Sequence, residues 1–148
     1  MEEALYSKYG FFNNEKVRSK KSGDFLTSPE VSEYFGKIIN KWIQKSNFDL
    51  NITEFGSGTG SLIEQIKTKN KFAVEKSLTA RTELSKKNIQ NASNLEELTY
   101  ENSDLVFGNE VLDNIPCSIA VYKEGKWQEK IVCFNDGIFS YDLSLIHI

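Results

Sequence analysis

The segment Glu54-Phe55-Gly56-Ser57-Gly58-Thr59-Gly60 restricts this chain more than any other stretch of its sequence. Residues 50–55 ahead of it alternate apolar and polar side chains, the period of a strand, and the glycines that follow predict a tight turn. Leu62, Ile63 and Ile66 then recur at helical spacing, which predicts a helix over residues 61–67. A second short strand over residues 71–75 ends on Glu75, and Ser77 supplies a hydroxyl cap for another helix. Strand, turn, helix, strand, helix is the order of a parallel sheet with right-handed crossovers, so the fold expected is α/β.

A turn of this kind also has chemical consequences. Glycine removes the Cβ atoms that would keep a ligand away from backbone N–H groups at a helix amino end. The spacing is Gly-x-Gly-x-Gly, and Ser61 stands where the dinucleotide fingerprint requires its last glycine, which argues against a nicotinamide dinucleotide. Glu75 lies about 20 residues beyond the turn, where doubly wound folds place a carboxylate against ribose hydroxyls. A tight connection would need only the glycines. The added pair of acids, Glu54 before the turn and Glu75 after it, points to a nucleoside-type ligand.

The rest of the chain fits around that unit. Residues 6–24 show no sustained periodicity and are expected to form an arm anchored by Tyr9, Phe11 and Phe12. Thr27-Ser28-Pro29-Glu30 combines a hydroxyl cap, a proline for the first turn and an acid near the positive helix end. One helix is therefore expected from there through an apolar stripe of Val31, Tyr34, Phe35, Ile38, Ile39, Trp42 and Ile43. Ser103-Asp104-Leu105-Val106-Phe107 reads as a buried strand, and residues 119–122 and 127–134 read as a hairpin around Lys123-Glu124-Gly125-Lys126.

Composition closes off several function classes. A net charge of −3 supplies no broad cationic surface for nucleic acid, and the run Lys16, Arg18, Lys20, Lys21 is expected to be a solvated segment. Cys117 and Cys133 are far apart and His147 is the single histidine, so no zinc cluster or disulfide framework is expected and the cysteines are read as core or strand residues. The first thirty residues hold no signal-peptide-like apolar run, and a cytoplasmic setting is expected, or the mitochondrial matrix in a eukaryote. Leu143-Ser144-Leu145-Ile146-His147-Ile148 also reads as the translation of CTG TCT CTT ATA CAC ATC, a transposon end used in sequencing-library construction. The expectation is an adapter-derived tail over residues 143–148, with the native chain cut near Asp142.

The glycine turn and Glu75 together resemble motif I and the ribose-binding acid of class I S-adenosylmethionine-dependent methyltransferases. Gly23-Asp24-Phe25-Leu26-Thr27-Ser28-Pro29-Glu30 and Asn109-Glu110-Val111-Leu112-Asp113-Asn114-Ile115-Pro116 resemble signatures of the MidA-like methyltransferases, a family that includes the mitochondrial complex I assembly factor that methylates an arginine. The resemblance runs over residues 6–142, although the family's chains are much longer. It implies the amino-terminal part of a Rossmann-like class I methyltransferase sheet, with an arm and helix over residues 1–48 and a partial cofactor-binding domain with hairpin over residues 49–142.

By that resemblance the cofactor is S-adenosyl-L-methionine, held by Glu54, Gly56, Ser57, Gly58, Gly60, Glu75 and Asn109. Glu110, Asn109 and Asp113 are the expected catalytic residues, with Glu110 orienting the acceptor, and no metal is expected. The implied partner is a protein substrate carrying an arginine, with a respiratory complex I subunit as the family analogy. Where the family often has proline and arginine in the turn, this chain has Ser57 and Thr59, which keep the glycine frame and lose a cation. The residue that recognises adenine is left unassigned. Two other readings use the same residues: a non-catalytic assembly factor with this shape, and a dinucleotide-dependent oxidoreductase fragment, which would favour glycine at position 61.

Overall fold

The computed structural model describes residues 1–13, 23–24, 26–46, 50–97 and 103–145. Lys16, Arg18, Lys20, Lys21, Phe25 and His147 lie outside the described residues. Two compact units divide the chain, Met1–Ile115 and Pro116–Ile148.

The first unit is built on a four-stranded parallel sheet in the order β3-β2-β1-β4, from β1 (Asn51–Phe55), β2 (Asn70–Val74), β3 (Gln90–Ala92) and β4 (Leu105–Gly108). β1 is central and buried because its neighbours pair in register on both sides, Phe55 opposite Val74 of β2 and opposite Gly108 of β4. Ahead of the sheet come α1 (Glu2–Tyr6), α2 (Ser28–Val31) and α3 (Tyr34–Lys45), and α4 (Leu78–Lys86) links β2 to β3. Ser77 caps α4 as expected, its hydroxyl accepting from the Ala80 N–H at 3.2 Å. β3 was not foreseen, because three polar-rich residues carry no strand period. β4 forms the sheet edge, with Val106 54% exposed, so it is not the fully buried strand that its apolar run predicts.

The predicted single helix is two. α2 ends at Val31 and Ser32 is extended, so α3 begins anew at Tyr34. The apolar stripe is correspondingly split between core and solvent. Phe35, Ile39 and Ile43 pack with Ile52, Leu62 and Ile66, while Val31, Tyr34, Ile38 and Trp42 remain exposed. Gly36 and Asn40 complete the buried face, Gly36 because a Cβ there would run into the Gln65 side chain. A second cluster, Ile63, Ala73, Leu84 and Ile89, joins β2 to α4.

Residues 61–67 do not form the predicted helix. After one helical bond from Glu64 N–H to Gly60 O (3.0 Å), the chain tightens into bonds from Gln65 to Leu62 and from Ile66 to Ile63. Asn40 from α3 intervenes, donating to Gln65 O at 2.8 Å and accepting from Lys67 N–H at 2.6 Å, so a side chain takes the backbone groups a longer helix would have used. Asn40→Ala is expected to destabilise the protein by about 1–2 kcal/mol, because two part-buried backbone groups lose their side-chain partner, measured as a lower urea midpoint with unchanged slope.

Phe11 and Phe12 anchor the arm as expected, but Tyr6 takes the place expected of Tyr9. Tyr6 stacks on Phe12 at 5.5 Å and Phe11 meets Phe12 edge-on at 5.0 Å, while Tyr9 is 85% exposed. Ser77 Oγ donates to Phe12 O and Leu78 N–H to Asn13 Oδ1 at 3.0 Å, pinning the arm to the start of α4.

The second unit is an antiparallel sheet of β5 (Ile119–Lys123), β6 (Lys126–Asn135) and β7 (Ile138–Leu145). The predicted hairpin is present, and β7 adds a third strand beyond it. Both connections are two-residue turns with positive φ throughout, Glu124-Gly125 at 51° and 79° and Asp136-Gly137 at 51° and 80°, which match the strand twist. The Asp-Gly pair was the sequence signal for β7. Leu143, Ser144 and Leu145, within the stretch read as an adapter tail, pair with Lys130, Glu129 and Gln128 of β6. Cys133 is half-buried in β6, whereas Cys117 is exposed ahead of β5. Among the described residues, no group of side chains could hold a metal ion and no helix is long and apolar enough to cross a membrane.

Candidate functional site

Because β1, β2 and β4 are parallel and end in register, their following loops leave from one edge of the sheet. These loops carry the glycine turn, Glu75 with Ser77, and Asn109 with Glu110. This is the carboxyl edge at which open α/β sheets place ligands. Sequence spacing predicted each loop, and the sheet order brings them together.

The glycine turn is held by short bonds at its base. Gly56 N–H donates to Val74 O at 2.8 Å, Gly60 N–H to Ser57 O at 2.9 Å, and Ser57 Oγ to Glu54 O at 2.8 Å. Gly56, Gly58 and Gly60 all have positive φ. Their surroundings differ. A Cβ on Gly56 would collide with Val111, and one on Gly60 would come within 2.6 Å of Leu84, but one on Gly58 would meet nothing within 4 Å. Gly56 and Gly60 are therefore packing glycines, and Gly58 borders open space. Ser57 is buried, its hydroxyl closes the turn on Glu54 O and its N–H reaches Val74 O at 3.4 Å.

Two carboxylates lie beneath this turn. Glu54 is 3% exposed and its Oε2 accepts from Ile63 N–H at 3.1 Å. Burial pushes its pKa up to about 8, against the hydrogen bonds from Ile63 and Ser57, with a further increment from Glu75. Glu75 accepts from Gly58 N–H at 2.8 Å on one oxygen and from Ser77 N–H at 2.7 Å on the other. Burial raises its pKa as well, opposed by those backbone donors and by Arg81. Tyr6 closes the arm side of this region. Its hydroxyl donates to Asn114 O at 3.0 Å, and its pKa is raised by burial and then by Glu75 and Glu2.

On the β4 side, Glu110 sits at φ 54° and its Oε1 accepts from Ser28 N–H and from Ser28 Oγ, both at 3.2 Å. Asn109 Nδ2 approaches the same oxygen at 3.4 Å. Asp113 lies further along on a 3₁₀ turn, Leu112–Asn114, where it accepts from Asn114 Nδ2 at 3.1 Å. Sequence reasoning missed Val111, which fills the notch left by Gly56 and Gly108, and Ser28, which fixes Glu110. The absence of a side chain at two glycines ending neighbouring strands was the available signal for Val111.

The family described as "Putative S-adenosyl-L-methionine-dependent methyltransferase" matches residues 34–147, which includes the whole sheet, the glycine turn and the Asn109-Glu110 loop. The chain belongs to this family. Among curated proteins, methyltransferase relatives include the "Protein arginine methyltransferase NDUFAF7 homolog, mitochondrial" of Drosophila melanogaster, 32% identical over 63 residues. The protein arginine methyltransferase NDUFAF7 of Bos taurus is 35% identical over 63 residues. Each alignment covers 38% of this chain and 14% of the relative, so the matched stretch spans about one seventh of those proteins. A crystal structure of an uncharacterized protein from Burkholderia thailandensis superposes with a TM-score of 0.65 at 23% identity, covering 98% of this chain and 42% of its own. That likeness establishes a shared fold.

Proposed function

We propose that the carboxyl edge of the parallel sheet binds S-adenosyl-L-methionine and that the protein transfers its methyl group to a protein side chain, arginine by the analogy of the named relatives. The observation that carries this reading is the junction at Gly58. Its N–H meets the buried Glu75 carboxylate at 2.8 Å, and the space where its Cβ would stand is open. The residues fit the cofactor in kind: Gly58, bare toward open space, to admit its amino-acid end within a turn that Gly56 and Gly60 allow to close, Glu54 beneath as electrostatic support for a cation, and Glu75 with lone pairs left for ribose hydroxyls.

The chemistry supplied there is a sulfonium-borne methyl group open to in-line displacement, which calls for alignment and not for a covalent intermediate. Asn109 follows β4 at the same edge and is assigned to cofactor and acceptor alike. Glu110 is assigned to orient the acceptor, because a carboxylate pairs with a guanidinium through two charge-assisted hydrogen bonds. Asp113 is the second acid of that loop. Glu110 would have to share or release Ser28 to take up such a partner.

Calorimetry tests the cofactor assignment. S-adenosyl-L-methionine is expected to bind and NAD is not. Glu75→Ala is expected to weaken that binding by about tenfold or more, the size of a lost hydrogen bond to a charged group, with Glu75→Gln retaining part of it. Wild-type affinity in Glu75→Ala would remove the ribose assignment. Transfer of labelled methyl from the cofactor to protein tests the reaction, and binding without any transfer would favour the assembly-factor reading.

A further inference from the structure

α2 is a single turn of helix, too short to be stable alone. Its contacts extend well beyond those a cap requires. Glu30 reaches back to Thr27 with Oε2, accepting from the N–H at 2.9 Å and from the hydroxyl at 3.2 Å. That is the ordinary capping use of an acid at this position. Its other oxygen, Oε1, accepts from Ser61 Oγ at 3.2 Å, at the residue directly after Gly60. Gln65 reinforces the link, its Nε2 donating to Pro29 O and to Ser61 O, both at 2.9 Å. At the opposite end of the same turn, Ser28 holds Glu110 through its N–H and its hydroxyl.

One helical turn thus grips the loop after β1 and the loop after β4, the two loops that must be in register if cofactor and acceptor are to meet. Glu110 has a left-handed backbone, at φ 54°, which is strained for a residue with a Cβ and persists only where neighbours impose it. Ser28 supplies two of the contacts that impose it.

We infer that α2 is a positioning clasp, in which Glu30, acting through Ser61, holds the glycine turn in its cofactor-receiving shape while Ser28 holds Glu110 beside it. The inference rests on the proposed binding of S-adenosyl-L-methionine at that turn. Glu30, Ser61 and Ser28 are positioning residues here, since none is assigned a contact with a ligand. A purely structural cap would stabilise α2 and leave cofactor affinity alone, and this difference is measurable.

The experiment is a double-mutant cycle on the full chain, read by calorimetric titration with S-adenosyl-L-methionine and by thermal unfolding without it. Ser61→Ala leaves the cap intact and is expected to weaken binding about two- to tenfold, the range of one hydrogen bond. Glu30→Ala is expected to weaken binding by a similar factor and also to lower the melting temperature. The double variant should bind no more weakly than Glu30→Ala alone. Glu30→Gln retains an acceptor for Thr27 and a polar partner for Ser61, so it should restore most of the affinity. In the wild type, cofactor binding should slow amide hydrogen exchange at Ser28 and Glu30, and Ser61→Ala should abolish that slowing. Wild-type affinity in both single alanine variants, or strictly additive losses in the double, would overturn the clasp while leaving the cofactor assignment standing. A wild-type chain that fails to bind S-adenosyl-L-methionine would overturn both.

Discussion

Gly60→Ala is expected to destabilise the protein by about 2–4 kcal/mol, because a left-handed backbone and a filled core both refuse the new methyl group. Gly60 has φ 80°, and a Cβ there would come within 2.6 Å of Leu84 and 3.3 Å of Ile89, both in the cluster that joins β2 to α4. Neither neighbour can retreat without opening a gap elsewhere in a close-packed interior. Gly58→Ala is the informative contrast. It shares the left-handed conformation, at φ 54°, but meets nothing within 4 Å, so about 1–2 kcal/mol of backbone strain is its whole cost to stability. Its methyl group would stand where the proposed ligand approaches, and affinity for S-adenosyl-L-methionine should fall about tenfold or more. Urea unfolding and calorimetry on the two variants check the pair. Equal loss of stability at both positions, with affinity intact in Gly58→Ala, would contradict this division of labour within one turn.

The second large effect is on pH dependence. Glu54 is buried, and its folded pKa is pushed up to about 8 from an ordinary value of 4.5. For an acid with a raised folded pKa, the neutral form is the one the fold accommodates. Between pH 4.5 and 8 the folded state therefore holds a proton that the unfolded chain has released, and stability falls as pH rises through that window. The slope from one such group approaches about 1.4 kcal/mol per pH unit. Glu75, also raised by burial, adds to it in the same direction. Glu54→Gln keeps an acceptor for Ile63 N–H and cannot ionise. The variant should match the wild type near pH 4.5 and exceed it by a few kcal/mol at pH 8. Denaturant unfolding of both proteins across that range gives the difference curve, and a flat one would show that Glu54 is already ionised in the fold. If a cationic ligand binds above Glu54, it should draw out that proton, so affinity should rise and protons be released as pH increases from 6 to 8.

Much of this architecture was legible locally. The alternation of residues 50–55, the Gly-x-Gly-x-Gly spacing and the acid at position 75 each report on a few consecutive residues, and β1, the turn and β2 stand where those patterns indicated. Ser77 as a cap and Glu124-Gly125 as a hairpin turn were readable for the same reason, since caps and two-residue turns depend on neighbours in the chain. Failures came where a distant group intervened. Residues 61–67 carry a helical period, but Asn40 takes up Gln65 O and Lys67 N–H and ends the helix after one turn. The stripe from Val31 to Ile43 is real, yet which half of it is buried depends on where Gly36 and Asn40 let α3 approach the loop after β1.

The sequence by itself determined the period of each strand, the positions where only glycine tolerates a left-handed turn, and the acids that end up at the sheet edge, because backbone sterics and side-chain alternation act over short range. Only the tertiary structure decided that Glu54 would be buried beneath its turn, that Glu75 would meet Gly58, and that Ser28 and Glu30 would tie Glu110 and Ser61 to one helical turn. Those contacts join residues 17 to 82 positions apart, and no local preference encodes a partner at that distance. They exist because parallel strands in register deliver separate loops to one edge, where buried polar groups must find hydrogen bonds among whatever the sheet has brought there.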